Sequence, residues 1–394
     1  MDERVYVTGL GMISPAGAGT APFWADLCAA RGRFEELTPL YAGMKPGVLA
    51  ARVPQAARER ALAEVGPASA GTRHPASLFA EYAALEALAD AGLTPGEPVL
   101  RDAVVCVGTN DGQAAALENL VAGRCGIEEA AGLSSHTLAE GLARAAGSHG
   151  PAFTVHNTCA SANVALACAL DMLRAGVAAT AIVGGCDAYS EKNIIGFSSL
   201  QALGPAACRP FSRDRRYVTP SEGAGILVLS TAAALGGRRP YAEVKAVAVT
   251  NDARHPTAPD PDGVAACHRL ALEQAGVGAD EIGAVFAHGT GSRANDAIEG
   301  AIFAERYPKA AVTAIKGTIG HLMGAAGAAG AVAACLALRH GLVPPTRVEA
   351  DEVELGLDLV TGAPRAVEGL RYVQNNAFGF GGHNAIAVFG AVDE

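Results

Sequence analysis

Thr154-Val155-His156-Asn157-Thr158-Cys159-Ala160-Ser161 is the stretch on which the fold of this chain turns. The run Ala152–His156 is β-rich and predicts a strand. From Ser161 to Ala175 apolar residues recur at helical spacing. A strand that ends near His156 and a helix that begins just after Cys159 leave the thiol on a sharp turn. There it faces the free N–H groups of a helix start, which favour negative charge and predict a lowered thiol pKa. A thiolate in that position is a good nucleophile. The competing reading is a buried structural cysteine, the role that suits its neighbour Cys168.

The strand-to-helix pattern repeats along the chain. Short β-rich runs occur at Arg4–Thr8, Ala103–Gly108, Ala181–Val183, Gly225–Ser230, Ala242–Val249, Ala284–His288, Ala311–Ile315 and Ala385–Phe389. Several are apolar throughout, as strands covered on both faces are. Helical patterns lie between them at Pro75–Ala91, Gly263–Ala275, Asp296–Glu305 and Met323–Arg339. This alternation predicts an α/β fold with a mixed sheet covered by helices. Gly236-Gly237-Arg238-Arg239-Pro240 is the best boundary and divides the chain into halves 1–235 and 236–394.

Composition narrows the function. Half of the 394 residues are hydrophobic, enough for a large core, while aromatics are only 5%. The net charge of −10 and the lack of a basic run argue against nucleic-acid binding. Nine cysteines without a CxxC pair suggest neither a zinc site nor a redox motif, and they read as reduced thiols of a cytoplasmic protein. The start, MDERVYVTGLGM, lacks the pattern of a signal peptide. The apolar run Leu322–Leu338 is short and rich in Ala and Gly, so it is expected in the core rather than in a membrane.

Chemistry-bearing residues gather at three further places. Ala287-His288-Gly289-Thr290-Gly291-Ser292, followed by Asn295, Asp296 and Glu299, ends a buried strand in a glycine turn. Lys316-Gly317-Thr318-Ile319-Gly320-His321 leads into the Ala/Gly helix. Asn376-Ala377-Phe378-Gly379-Phe380-Gly381-Gly382-His383-Asn384 reads as a mobile loop beside an aromatic plug, with N–H groups able to form an oxyanion hole. Taken singly, each histidine also suits a satisfied core position and the glycine loop a tight β-connection.

In this order, the cysteine, HGTG, KGxxGHxxGAAG and GFGG resemble the β-ketoacyl synthase family, closest to the type II elongating synthases of fatty-acid and polyketide assembly. The likeness runs from Val7-Thr8-Gly9-Leu10-Gly11 to Phe389. It implies a thiolase-like fold: two similar halves in an α-β-α-β-α arrangement with five-stranded mixed sheets. It implies that Cys159 takes an acyl group and that His288 and His321 promote decarboxylation of a malonyl-type extender. Lys316 would orient His321, and Asp296 and Glu299 would support the site. The N–H groups of Cys159 and Phe380 would form the oxyanion hole, with Phe380 and Phe378 as gate. Thr257, Thr290 and Ser292 would line the pantetheine tunnel, Asp111 the acyl pocket, and Arg209 and Arg213 would dock the carrier. No metal or organic cofactor is implied, because the substrates ride on the phosphopantetheine of an acyl carrier protein. The implied assembly is a homodimer or a heterodimer with a chain-length-factor-like subunit.

The chain departs from the family pattern in places. Gly330 stands where many relatives carry a glutamate near a cation, and His383 replaces a common threonine. Arg216–Gly223 differs from the usual run, Asn110-Asp111-Gly112 puts polar residues at the acyl pocket, and Gln113–Gly150 is short. These changes point to secondary-metabolite assembly rather than to housekeeping fatty-acid elongation. A non-decarboxylating acyltransferase or thioester hydrolase would not need both histidines. A non-catalytic chain-length partner would lack Cys159. Thiolases and chalcone-synthase-like enzymes pair cysteine with other His/Asn or His/Cys sets.

Overall fold

Val5–Ser14 is buried at every position and forms the first strand, β1. The computed structural model describes residues 3–66, 74–127, 132–354 and 356–392. The first half continues with β2 (Val104–Gly108), β3 (Ala152–Val155), β4 (Thr180–Asp187) and β5 (Gly223–Thr231). The second half supplies β6 (Ala242–Asn251), β7 (Ile282–Phe286), β8 (Ala311–Thr313), β9 (Tyr372–Gly379) and β10 (His383–Gly390).

The two halves repeat one topology. Outward from their junction the strands run β1-β5-β4-β2-β3 and β6-β10-β9-β7-β8. Both therefore place their first, fifth, fourth, second and third strands in that order. In both, the two outermost pairings are parallel and the others antiparallel. Tyr6 and Val7 of β1 pair with Glu243 and Ala242 of β6, so the two five-stranded arrays join into one sheet. Gly17–Ala18 adds a short strand beside β1.

Six helices build the layers that matter for the site: α1 (Pro75–Asp90), α2 (Ser161–Arg174), α3 (Glu191–Ser199), α4 (Pro261–Ala275), α5 (Arg293–Arg306) and α6 (Ala326–His340). Helix α2 packs on β2 and β4 and also on β6, while α6 packs on β9 and on β5. These two helices thus fill the space between the arrays. Helix α1 covers β1 and β5 from outside, and α4 covers β6 and β10.

Alternation along a strand explains its unbroken apolar sequence. Val104 and Cys106 point to the central core with Leu166 and Val332. Val105 and Val107 point outward to Phe79 and Leu138. Side chains of successive residues face opposite sides, and here both sides are covered. The Ala/Gly run of α6 is buried from Ala326 to Ala337. Met323–His340 is long and apolar enough to cross a membrane, yet 83% of it is buried inside the protein. Its small residues let layers approach: a Cβ at Gly327 would come within 2.7 Å of Asn163 Oδ1.

One expectation fails here. Asn376–Gly379, read as part of a mobile loop, belongs to β9, which pairs with β10 from Tyr372↔Gly390 to Gly379↔His383. Only Phe380, Gly381 and Gly382 turn. The polar run Gln374-Asn375-Asn376 hides the strand pattern, although all three residues are buried. Their amides are used internally: Asn375 Nδ2 donates to Asn163 Oδ1 (3.1 Å) and the Gly327 carbonyl (2.8 Å), and Gln374 Oε1 accepts from Tyr307 (2.9 Å).

Candidate active site

Turns from both halves converge on one cleft. The turn after β3 carries Cys159, the turn after β7 carries His288, and the segment between β8 and α6 carries His321. Together with Phe378 and Phe380 these residues line a cavity of about 260 Å³. Thr257, Thr290 and Ser292 line the same cavity, and Thr290 Oγ1 donates to Ser292 Oγ at 2.9 Å.

Cys159 sits in a 3₁₀ turn, Thr158–Ala160, that runs into α2. Thr158 has φ +50°, a left-handed conformation that a β-branched residue adopts only when its surroundings enforce it. The surroundings are visible. Thr158 Oγ1 donates to the Phe380 carbonyl (2.9 Å), while Ser161 Oγ accepts from the Asn157 N–H (2.8 Å) and donates to the Thr158 carbonyl (2.6 Å). The Thr158 bond fastens the Phe380 turn to the cysteine turn. Among the described residues, neither the Cys159 N–H nor the Phe380 N–H is used in a turn or loop bond.

The thiol does not follow the expected fall in pKa. Burial pushes Cys159 up to about 12, and the nearby Lys316 charge only partly offsets this. The helix start favours the thiolate, but near-complete removal from water costs more.

His321 is held by the segment that departs from the family pattern. Its N–H donates to the Thr219 carbonyl (2.8 Å), and its carbonyl accepts from Ser221 (2.9 Å). Buried Glu222 accepts from Val53 and Tyr189, both at 2.9 Å, and from Arg58, which fixes that segment. The His321 Nδ1 accepts from the Met323 N–H at 3.2 Å, so the ring proton lies on Nε2. His288 and His321 stand edge to face with centroids 5.5 Å apart. Burial holds both well below the usual histidine range, with Lys316 adding to the effect, so both rings are neutral.

Lys316 serves the other histidine from the one expected. Its Nζ donates to the His288 carbonyl and lies 3.3 Å from His288 Nδ1. It touches His321 by charge only. The His288 turn is anchored from below by Glu299, which accepts from the N–H groups of His288 (2.8 Å) and Gly289 (2.7 Å). Asn295 Nδ2 also donates to Glu299 (2.7 Å). Asp296 instead accepts from the Phe211 N–H (2.9 Å), tying in the loop that follows Cys208, and burial pushes it up to about 7.

Three predicted residues lie away from the cleft. The Asp111 carboxylate is turned into the protein, where it meets Lys192, Ser190 Oγ (2.5 Å) and Asn110 Nδ2 (2.8 Å). Its pairing removes the cost of a lone buried charge. Asn110 and Lys192, rather than Asp111, reach the cavity beside Cys159. Arg209 pairs with Glu352, and Arg213 donates to the Asp351 carbonyl at 2.9 Å. At Gly330, a side chain would run into the Asn375 amide.

Sequence reasoning missed Asp187. This buried residue ends β4 and accepts from Thr109 Oγ1 (2.6 Å), Asn110 N (2.8 Å), Asp111 N (2.9 Å) and Gly324 N (2.6 Å). It thereby joins the two halves beside the cysteine. An acid at the end of an otherwise apolar strand, Ala181–Asp187, was the available signal. Phe197, 5.7 Å from Phe380 between ring centroids, was missed as well.

Comparisons with known proteins identify the family. The family models of the β-ketoacyl synthase N-terminal and C-terminal domains match residues 2–234 and 241–348. Nodulation protein E of Rhizobium meliloti (strain 1021) is 32% identical over 408 residues, covering 99% of both chains. The tetracenomycin polyketide synthase ketoacyl synthase alpha subunit of Streptomyces glaucescens is 32% identical over 417 residues, covering 98% of this chain and 97% of its own. The solved structure of the ishigamide ketosynthase/chain length factor matches with a TM-score of 0.90 at 36% identity, over 100% of both chains. With its doubled five-stranded topology and its Cys–His–His cleft, the chain belongs to the β-ketoacyl synthase family, whose members transfer acyl groups and form carbon–carbon bonds.

Proposed function

We propose that this protein takes an acyl group from the phosphopantetheine of an acyl carrier protein onto Cys159 and condenses it with a malonyl-type extender. The observation that carries the reading is the meeting of Cys159, His288 and His321 on one cavity that Phe380 also lines. In the first step the cysteine sulfur attacks the incoming thioester, and its proton ends on the released pantetheine thiol. The Cys159 and Phe380 N–H groups hold the developing oxyanion. In the second step the extender loses CO2 and its α-carbon bonds to the acyl carbonyl. The Cys159 thiolate leaves and takes up a proton.

The histidines stabilise the enolate formed as CO2 departs. Lys316 lies at His288 Nδ1 and Met323 N–H at His321 Nδ1, which leaves Nε2–H on each ring for the thioester oxygen. Neutral donors suit this task, because they stabilise negative charge without first giving up a proton. Thr257, Thr290 and Ser292 bind the pantetheine arm, and Phe378 and Phe380 gate the acyl side.

The reading divides the chain into halves 1–235 and 236–394, with the cysteine from one and both histidines from the other. The reaction needs no resident cofactor. The carrier protein is the obligate partner, and the relatives named above support a polyketide or related secondary-metabolite role, with a second subunit that is identical or of the chain-length-factor kind. All nine cysteines are free thiols, as suits the cytoplasm. The test is CO2 release from a malonyl-loaded carrier, coupled to formation of a 3-oxoacyl product. His288→Ala and His321→Ala should each lower release by roughly a hundredfold or more. Release unchanged in both variants would refute these roles.

A further inference from the structure

Gln374 and Asn376 lie two residues apart on β9 and so share one face of the strand. Asn375 between them points the other way, to Asn163 and Gly327. The shared face carries a chain of buried polar groups through an otherwise apolar core. His268 of α4 stands with its Nδ1 3.0 Å from the Tyr307 hydroxyl and 3.2 Å from Gln374 Nε2. The Tyr307 hydroxyl donates to Gln374 Oε1 (2.9 Å), and Gln374 Nε2 donates to Asn376 Oδ1 (2.8 Å). Asn376 Nδ2 then donates to Glu299 Oε1 (3.3 Å), the oxygen that also accepts the His288 N–H.

Phe303 and Phe378 surround the start of the chain, with ring centroids 6.1 and 6.3 Å from His268. Polar groups are costly in such surroundings, and His268 Nε2 has no hydrogen-bond partner among the described residues. Apolar side chains would serve packing alone equally well. What the chain adds is direction. An asparagine amide fits either way round, and the reverse placement would set Asn376 Oδ1 against the Glu299 carboxylate. Gln374 prevents this: Tyr307 fixes its oxygen, which leaves its Nε2 to hold Asn376 Oδ1.

Glu299 needs that donor. Burial pushes its pKa up, and hydrogen bonds from Gly289, His288, Asn295 and Asn376 oppose the rise. The charges that face it are Lys316, which favours the carboxylate, and Asp296 of its own helix, which opposes it. His288 and His268 are held neutral by burial. Only the ionised carboxylate accepts from all four donors.

We infer that Tyr307, Gln374 and Asn376, anchored on His268, are positioning residues for decarboxylation: they aim an amide N–H at Glu299 and so hold the turn that carries His288. None of them lines the cleft described above. The inference rests on the decarboxylating role proposed for His288 and traces the support of that residue to the far side of the second half.

The test is the pH–rate profile of CO2 release from a malonyl-loaded carrier, measured for the wild type, Gln374→Met and Tyr307→Phe. Losing the Asn376 donor raises Glu299 further, so its carboxylate takes up a proton at higher pH. The acid limb should move up by about one pH unit in Gln374→Met, and in the same direction in Tyr307→Phe. Above the limb the rate should return to within a few-fold of wild type, with KM for the malonyl carrier unchanged. A merely structural role would lower the melting temperature, and the rate at every pH, without moving the limb. Tyr307→Phe removes a single oxygen and decides the matter where Gln374→Met does not fold. An acid limb unmoved in the folded variants would overturn the inference. No CO2 release from the wild type at any pH would instead refute the decarboxylation reading, and the inference would fall with it.

Discussion

Lys316 Nζ lies 3.3 Å from His288 Nδ1 and also donates to the carbonyl of the same residue, so one ammonium fixes both the ring and the backbone of His288. Lys316 therefore acts through His288. Lys316→Met should lower decarboxylation of a malonyl carrier by roughly a hundredfold. Acyl loading of Cys159 should change only a few-fold. The double variant Lys316→Met/His288→Ala should be little worse than His288→Ala alone. Additive losses in that cycle would show that Lys316 acts elsewhere.

The buried thiol has a pH signature. With Cys159 pushed up to about 12, it is protonated at neutral pH, and its thiolate fraction rises about tenfold per pH unit well into the alkaline range. Carbamidomethylation of Cys159, followed by peptide mass analysis, should therefore accelerate steadily from pH 7 to pH 10. A plateau near pH 7 would mean a thiolate stabilised at rest, contrary to this structure.

The ion pair between Arg209 and Glu352 leaves the proposed docking arginine occupied by its own chain. An acidic carrier must compete with Glu352 for it. Glu352→Gln should strengthen carrier binding a few-fold at low salt, and Arg209→Ala should weaken it, with both effects fading as salt rises. Calorimetric titration with the carrier measures this. Equal affinities in the wild type and both variants would remove Arg209 from the docking surface.

Gly330 faces the Asn375 amide, which with Asn163 ties the first half to the second. Gly330→Ala inserts a methyl where that amide sits and should cost about 1–3 kcal/mol of stability. Thermal unfolding would show a lowered midpoint. An unchanged midpoint would mean that Asn375 has room to move.

Much of this architecture was legible in the residues. Strands such as Val104–Gly108 betrayed themselves by apolar runs, and Cys159, His288 and His321 by the turns that follow strands. What escaped detection was polar yet internal. Gln374–Asn376 looked like loop because strand patterns are read from apolar alternation, whereas these amides are satisfied by partners more than two hundred residues away or on other elements. The partner of Lys316 was misjudged for a related reason: His321 is close in sequence, but the chain turn brings His288 to the ammonium. The rise of the Cys159 pKa depends on its burial, a property of the packed layers and not of the local turn.

The central claim is that Cys159 carries the acyl group, and intact-mass analysis with a panel of acyl-loaded carriers tests it most directly. The account predicts a gain equal to the acyl group in the wild type, retained in His288→Ala and absent in Cys159→Ala. A gain that survives Cys159→Ala, or no gain with any acyl donor, would contradict it.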